Sequence, residues 1–338
     1  MRIHCKGAIA LGRLSVVALL LASSPGSAQT ILKCGTATQS SHIYNQAVEY
    51  FARLVADKSK NDIQIQVFPA SQLGSERDMV DGLQLGSLEM TLISTTPLGN
   101  FVPRIRLFNL PFLFKDRESC YKVLDGPIGA EIAGLLTQFG LRSLAWYETG
   151  FLNITNSKGP IEKPADLNGL KIRVMEDDIF SLTMNALGAS PLPVAFAELY
   201  TALEQKAVDA QENPLSVIHF SRFFEVQPYL TMTDHFYSPA MLLISEIAWQ
   251  RLTAGQQEVL TDAAVQARDY ERNLSAEADR ILEAELVKQG MQVSHPDRDP
   301  FVQAVAPVYE NPAVIKAIGD GDATEGQRLI EAVQEAAR

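Results

Sequence analysis

Apolar positions along this chain follow two different periods that take turns after the N-terminal segment. In residues 63–68 every second position is apolar, as in a half-buried strand. In residues 41–58 the apolar positions recur every three or four residues, as on one face of a helix. Further strands are predicted at residues 31–36 and 90–94, and a helix at residues 75–85. Strands that alternate with helices predict an α/β domain with a largely parallel sheet.

The pattern begins again at residue 151, which predicts a second α/β lobe. Residues 151–155 are strand-like, and after a turn rich in proline, aspartate and glycine another strand contains Arg173. A chain of 338 residues is also long for a single hydrophobic core. We therefore predict a two-lobed α/β fold whose connections near residues 147–150 and 237–239 act as a hinge beside a ligand cleft. The predicted division is residues 29–149 with about 239–275 for lobe I, and residues 150–238 with about 276–338 for lobe II.

One segment has the length of an unusually long helix. Residues 256–289 form a run of 34 residues without glycine or proline, and apolar residues recur in it at steps of three or four. As a helix this run would be roughly 50 Å long, more than the width of one small lobe. We predict a helix that lies across both lobes. The alternative is two helices with a break near Asn273.

The N-terminal segment has the features of an export signal that is cleaved off. Basic residues (Arg2, Lys6, Arg13) come before a short apolar stretch at residues 14–22, and small residues follow up to Ala28. The apolar stretch is too short to span a bilayer. We expect residues 1–28 to be a signal peptide and the mature chain to be exported and not inserted into the membrane.

Net charge and cysteine content limit the partners and the redox chemistry of the mature chain. Loss of the signal would change the formal charge from −11 to −14, because three basic residues and no acidic ones leave. Such an acidic chain is a poor partner for nucleic acid or an anionic membrane. Cys34 and Cys120 would remain. A disulfide between them stays open at this point, because its geometry cannot be read from the sequence.

Motifs of the common enzyme classes do not occur in the sequence. The five histidines lack the spacing of metal ligands, and there is neither a Gly-x-Ser-x-Gly nucleophile motif nor a glycine-rich phosphate loop after a strand. We therefore expect no catalysis, no cofactor and no metal. An exported hydrolase that uses a pair of carboxylates is the enzyme alternative.

The strongest chemical signal is a single arginine inside a short apolar strand. Arg173 lies between Ile172 and Val174 in the sequence GLKIRV. A guanidinium is a planar fork of donors that matches a carboxylate with two hydrogen bonds, which lysine cannot do. This predicts a carboxylate-binding site. The alternative is a structural arginine that pairs with an acidic neighbour at residues 176–178.

Several motifs in order resemble one known family. They are FPASQLGSERDMVDGLQLGSLEM at residues 68–90, LPFLF at 110–114, DLNGLKIRV at 166–174 and FAELYTALEQKAVDAQENP at 196–214, behind an export signal. Together they resemble the DctP-type solute-binding proteins of tripartite ATP-independent periplasmic (TRAP) transporters. The resemblance covers essentially the whole mature chain.

The resemblance implies a two-lobed periplasmic protein that closes around an organic acid and delivers it to TRAP membrane permease subunits. It implies that Arg173 forms a salt bridge with the ligand carboxylate, that Phe196 lines the cleft and that Asn213 helps to hold the ligand. A long helix across both lobes is also a feature of this family. A ligand-sensing subunit of a membrane receptor, which would use the same cleft, is the alternative within this fold.

Departures from the family pattern narrow the expected ligand. Many members have a second basic residue in the strand at residues 150–156, where this chain has Leu152 and Asn153. The glutamate of sialic-acid-binding members is also missing, because residues 93–96 read Ile-Ser-Thr-Thr. A monocarboxylate is therefore favoured over a dicarboxylate. The neutral or pocket-shaping candidates are Ser94, Thr95, Asn153, Met175 and Tyr237.

Overall fold

The computed structural model describes residue 1 and residues 29–338, so the predicted signal peptide lies almost wholly outside the described residues. Nine strands form one sheet in the described part of the chain. The strands are β1 (Thr30–Gly35), β2 (Ile63–Phe68), β3 (Met90–Ser94), β4 (Leu141–Asn156), β5 (Lys171–Val174), β6 (Ser190–Pro193), β7 (Ala210–Asn213), β8 (Tyr229–Ser245) and β9 (Gln292–Ser294).

Helices cover the faces and ends of this sheet. They are α1 (Ile43–Lys58), α2 (Glu76–Leu85), α3 (Arg117–Leu124), α4 (Pro127–Leu135), α5 (Asp178–Ala186), α6 (Leu199–Glu204), α7 (Leu215–Phe220), α8 (Glu246–Trp249), α9 (Ala254–Lys288), α10 (Asp299–Tyr309), α11 (Pro312–Ile318) and α12 (Ala323–Ala336). Short 3-10 turns occur between them, including one at Phe196–Glu198. Ser75 caps α2 through its hydroxyl, as the sequence predicts.

The sheet is mixed, which corrects the expectation of a largely parallel one. Its order is β2-β1-β3-β8-β4-β7-β5-β6, and β9 pairs with β8. The strands pair in parallel at both ends, but β3 with β8, β8 with β4 and β4 with β7 are antiparallel. The reason is that two long strands, β4 and β8, lie side by side in the middle of the sheet and run in opposite directions. The second lobe's first strand, predicted at residues 151–155, is the later part of β4.

The two predicted connections between the lobes lie next to each other in the sheet. Tyr147 pairs with Ala240 and Glu148 with Pro239, and the register shifts between Glu148 and Gly150. Gly150 has φ 119°, a conformation that a residue with a side chain adopts only under strain. Irregular backbone therefore occurs where the two long strands pass from one half of the sheet to the other. The exact boundaries of the two lobes stay a prediction.

The long helix is continuous, so the alternative of two helices is wrong. α9 has 35 residues and begins with a capping box between Thr253 and Gln256. Its first half buries Leu260 in a hydrophobic cluster with α1 and the first strands, and its second half buries Leu286 in another cluster beside α7. α9 thus joins two separate cores, as a helix across both lobes must.

A polar cluster fills the place where α9 crosses the two long strands. Arg117 pairs with Glu148 at 2.8 Å and with Asp279 at 2.8 Å, and the hydroxyl of Tyr237 donates to Glu148 at 2.8 Å. Glu271 accepts from the backbone N–H of Glu148 at 3.2 Å. Burial, and then the nearby charge of Glu148, raise the pKa of Glu271 well above its usual value. A buried network therefore ties the helix to both strands.

Cys34 and Cys120 are both buried and free, so the possible disulfide does not form. They belong to different hydrophobic clusters. Burial raises the pKa of the Cys34 thiol to about 12 and also raises that of Cys120. Of the helices in the described residues, none combines the length and the apolar character needed to cross a membrane.

We expect Arg117→Ala to lower the free energy of unfolding by about 3 kcal/mol, because it leaves the buried Glu148 without its cation. Urea unfolding measures this. Arg280→Ala is the matched control, because the Arg280 side chain is 72% exposed and, among the described residues, pairs only with its helix neighbour Glu277. The control should cost less than about 1 kcal/mol. Equal losses in the two variants would show that the network does not stabilise the crossing.

We expect both thiols to be unreactive in the folded protein, because each is buried and protonated near neutral pH. A chain that begins at Gln29 should release no chromophore from a disulfide reagent at pH 8, and two equivalents after unfolding in guanidinium. Rapid reaction of one thiol in the native protein would contradict the structure around it.

Candidate functional site

The Arg173 side chain is held inside the protein by the strand on which it lies. β5 pairs in parallel with β6 and β7, so that Arg173 lies next to Leu192 on one side and Gln211 on the other. Ile172 and Val174 are fully buried in the core. Because alternate residues of a strand face opposite sides of the sheet, Arg173 points away from this core. It is nevertheless only 2% exposed.

The Arg173 guanidinium has one hydrogen bond within the described residues and a buried nitrogen without a partner. Its Nε donates to the carbonyl oxygen of Val194 at 2.8 Å, whereas Nη1 is buried and unpaired. Burial lowers the pKa of Arg173 to about 10, and nearby carboxyl groups, led by Glu212, oppose that change. The side chain is therefore still a cation at neutral pH. Such a cation needs an anionic partner.

The structural alternative for Arg173 predicted a pair with an acidic residue at positions 176–178. Asp177 instead pairs with Arg106, with 3.0 Å between Oδ2 and Nε. Asp178 lies near the same arginine with a side chain that is 84% exposed. In the part of the chain that the structure describes, Arg173 forms no ion pair with any of these acids. Its free donor is thus available to a ligand.

A small cavity lies at Arg173. It has a volume of about 10 Å³. Its walls come from the start of α2, the 3-10 turn at Pro97, the end of β5 and the turn before Phe196: Ser75, Glu76, Arg77, Pro97, Arg173, Met175, Glu176, Val194, Ala195 and Phe196. Of the predicted site residues, Arg173, Met175 and Phe196 line this cavity together. Burial raises the pKa of Glu76 to about 7, against the effect of a backbone hydrogen bond from Ser94 and the charge of Arg173.

Glu212 and His235 form a buried pair near Arg173 that the sequence did not reveal. Glu212 Oε2 and His235 Nε2 are 2.7 Å apart, both side chains are fully buried, and His235 also contacts Thr233. Burial raises the pKa of Glu212, and His235 and Arg173 oppose this. Its other oxygen, Oε1, has no partner among the described residues. The only signal in the sequence was an acidic residue directly before Asn213.

The two asparagines of the predicted site lie side by side on β4 and β7. Asn153 and Asn213 are paired residues in the register of these strands. Asn153 Oδ1 accepts from the backbone N–H of Asp234 at 3.0 Å, and Asn213 Nδ2 donates to Gln211 Oε1. Asn213 is not a helix cap, because α7 begins after Pro214. Both amides are thus held by neighbours, and their contact with a ligand stays a prediction.

The other predicted neutral residues differ in their distance from the cavity. Ser94 Oγ contacts Met175 Sδ at 3.8 Å. Met175 lines the cavity, whereas Ser94 does not. Thr95 is fully buried, and its hydroxyl donates to the carbonyl of Pro239 at 3.2 Å. Tyr237 donates to Glu148 in the polar cluster under α9. The hydroxyls of Thr95 and Tyr237 therefore hold the framework, and their role as ligand donors has no support in these contacts.

Among the described residues, fewer basic ones lie near Arg173 than the family pattern predicts. Leu152 is fully buried in the core, so the expected second-arginine position carries an apolar side chain. Arg77 is the other cation among the described residues that line the cavity, and it lies at the exposed rim. The sequence analysis did not single out Arg77. Its motif, GSERD, is a helix start that gives no sign of which side chain faces a cavity.

A second cavity, of about 160 Å³, lies on the other side of Phe196. One of its walls comes from the loop after β1 and the turn after β2, and the other comes from residues between β6 and β8. It is lined by Ala37, Gln39, Ala70, Ser71, Phe196, Ala197, Tyr200, Ser221 and Phe223. Two distant parts of the chain therefore enclose it, as expected for a cleft between lobes.

The chain matches one family model over most of its length. The model of the DctP proteins, bacterial extracellular solute-binding proteins of family 7, matches residues 34–314. A solute-binding protein of Verminephrobacter eiseniae is 40% identical over 285 residues, which cover 83% of this chain and 84% of the relative.

Two solved structures have the same fold. A TRAP periplasmic solute-binding protein of Polaromonas sp. JS666, bound to D-erythronate, has a TM-score of 0.86 at 39% identity over 90% of this chain and 98% of that one. The sugar acid binding protein DctPAm of Advenella mimigardefordensis, in complex with galactonate, has a TM-score of 0.87 at 34% identity over 91% and 98%. These similarities confirm the predicted two-lobed fold. The chain belongs to the DctP family of bacterial extracellular solute-binding proteins, whose solved members include periplasmic TRAP proteins with bound organic acids.

Proposed function

We propose that this protein captures a hydroxylated monocarboxylic acid in the cleft beside Arg173 and delivers it to the membrane permease of a TRAP transporter. The observation that carries the proposal is the buried guanidinium of Arg173, whose Nη1 has no partner in the described residues. The signal-like N-terminus and the family support a periplasmic location.

A carboxylate is the ligand group that suits this guanidinium. Arg173 Nε is already fixed by Val194, so the plane of the side chain is set before a ligand arrives. A fixed plane loses little conformational entropy on binding, and a hydrogen bond between two charged groups is about twice as strong as a neutral one. An incoming carboxylate would also remove the cost of the unpaired donor.

The charges around Arg173 favour one carboxylate in the ligand rather than two. Glu212, Glu76 and Glu176 act on Arg173, in this order of strength. A second carboxylate close to the first would face these acidic groups, and Leu152 and Asn153 stand where the second basic residue is expected. A dicarboxylate could reach a further cation only at the rim, at Arg77.

The structural neighbours support a polyhydroxy acid. D-erythronate and galactonate, the ligands of the two neighbours above, each have one carboxylate and a chain of hydroxyl groups. Glu212 Oε1, buried and without a partner among the described residues, is an acceptor that such a hydroxyl can satisfy. The same residue would repel a second carboxylate, so the two arguments agree.

We expect Arg173→Ala to weaken binding of galactonate at least about 100-fold in titration calorimetry, because a buried charge pair with the ligand is lost. Arg173→Lys should also lose roughly tenfold or more, because a point charge replaces the planar fork. Circular dichroism should show the wild-type fold in both variants. Wild-type affinity in Arg173→Ala would refute the carboxylate site.

Arg77→Ala is the matched control, because it removes the other cation of the same cavity. For a monocarboxylate we expect a change of less than about threefold, since an exposed charge contributes little. A loss as large as that of Arg173→Ala would instead indicate a second ligand carboxylate at the rim.

We expect acids of the right class to raise the melting temperature of the protein, because they bind only the folded state. At a free concentration 100 times Kd the stabilisation is about 2.7 kcal/mol. A thermal-shift screen should cover aldonates, uronates, simple fatty acids and dicarboxylates. Aldonates or uronates should give the largest shifts in the wild type and none in Arg173→Ala. Larger shifts with dicarboxylates would contradict the proposed ligand class.

A further inference from the structure

The cavity at Arg173 is too small for a whole sugar acid. Its volume of about 10 Å³ has room for about one water molecule. This space takes at most one carboxylate oxygen, so the rest of the ligand must extend elsewhere. The cavity of about 160 Å³ is the adjacent space, because Phe196 lines both of them.

The larger cavity has the composition of a subsite for a hydroxylated chain. Three aromatic rings, Phe196, Tyr200 and Phe223, form one wall, and small side chains form the other. The rings are suited to the C–H faces of a carbon chain, whereas its hydroxyl groups need hydrogen-bonding partners. The hydroxyl of Tyr200 is already used, because it donates to Glu225 at 3.0 Å.

Ser71 lines this cavity and carries a polar group without a protein partner among the described residues. Its hydroxyl oxygen is buried and has no hydrogen-bond partner in the described part of the chain. Ser71 and the preceding Ala70 both have left-handed backbone conformations, with φ of 56° and 53°. Two successive strained residues that are not glycine are uncommon, and such strain is frequent where a ligand is held.

The strained turn is fixed by its neighbours. The backbone N–H of Ala70 donates to Thr38 at 2.8 Å and that of Ser71 donates to Thr36 at 3.0 Å. Asn45 on α1 in turn fixes this loop, because its side chain contacts Thr36 at 2.7 Å and the carbonyl of Thr38 at 3.1 Å. The backbone that carries Ser71 is therefore fixed before any ligand binds.

We propose that the cavity between Ser71 and Phe196 is the subsite for the hydroxylated tail of the acid, and that Ser71 selects ligands with a hydroxyl group in that tail. The proposal rests on the carboxylate site proposed for Arg173. It adds that affinity depends on chain length: an acid whose tail passes Phe196 reaches Ser71, and a shorter acid does not.

The test is a series of aldonates of increasing length, from glycerate through erythronate and a pentonate to galactonate, measured by titration calorimetry. In the wild type we expect affinity to rise at the length that reaches Ser71. In Ser71→Ala this rise should shrink by about tenfold, the effect of one hydrogen bond, while the shortest acids bind as before.

Two further variants separate the hydroxyl from the backbone strain. Ser71→Gly removes the hydroxyl and relieves the left-handed conformation, so it should lose the same affinity without a lower melting temperature. Ser87→Ala removes an exposed hydroxyl of a residue that lines neither cavity, and it should leave the series unchanged.

The outcomes distinguish the two proposals. If all lengths bind and Ser71→Ala weakens all of them equally or none of them, the tail subsite is refuted while the Arg173 site stands. If the wild type binds no aldonate of any length, both proposals fail.

Discussion

The structure around the candidate site depends on one constraint, a guanidinium taken out of water with an incomplete set of partners. Arg173 has a single protein hydrogen bond, to Val194, within the described residues. The nearby acids keep it charged without pairing with it. Pairing would satisfy the cation and close the site to ligands, whereas complete isolation would drive it towards the neutral form. The observed arrangement lies between these limits. The ligand would therefore supply the negative charge that pairs with Arg173. This favours a carboxylate over a neutral sugar.

The elements that connect the two halves of the sheet would couple ligand binding at Arg173 to the rest of the molecule. The cleft is enclosed by segments from both halves of the sheet, and the halves are joined by β4 and β8 where Gly150 interrupts the regular register. α9 crosses the same place and is tied to it through Arg117 and Glu148. A glycine allows the backbone to change direction there, and the buried ion pairs limit how far it can do so. This combination of a flexible strand position and a rigid helix is what a hinge requires.

Local patterns in the sequence predicted the elements well, and the central sheet poorly. β2 and β3 match residues 63–68 and 90–94, and α9 differs from the predicted run by only one or two residues at its ends. These elements have clear periods and clear ends. The antiparallel centre was missed because β4 and β8 are longer than typical strands, and their pairing joins residues that are about 70 to 100 positions apart in the sequence. Within the site, the motif indicated Arg173, Met175 and Phe196. The hydroxyl of Thr95 donates to a backbone carbonyl and that of Tyr237 to a buried glutamate, contacts that depend on tertiary packing and cannot be read from the sequence. Their role as ligand donors stays a prediction.

In the proposed cleft, charge would attract the carboxylate, and the groups around the rest of the ligand would select the acid. In the proposed site Arg173 would bind any carboxylate that reaches it, so it cannot by itself distinguish one acid from another. Discrimination has to come from groups whose satisfaction depends on the rest of the ligand. Glu212 Oε1 belongs to a carboxyl group whose pKa is affected by Arg173, and Ser71 Oγ belongs to a residue that lines the larger cavity; both oxygens are buried and unpaired in the described chain. A ligand that lacks the matching hydroxyl leaves such a group unsatisfied, and rejection by an unsatisfied polar group is stronger than rejection by a loose apolar fit. In the two proposals together, Glu212 and Ser71 would make the affinity depend on both the position of the hydroxyl groups and the length of the acid.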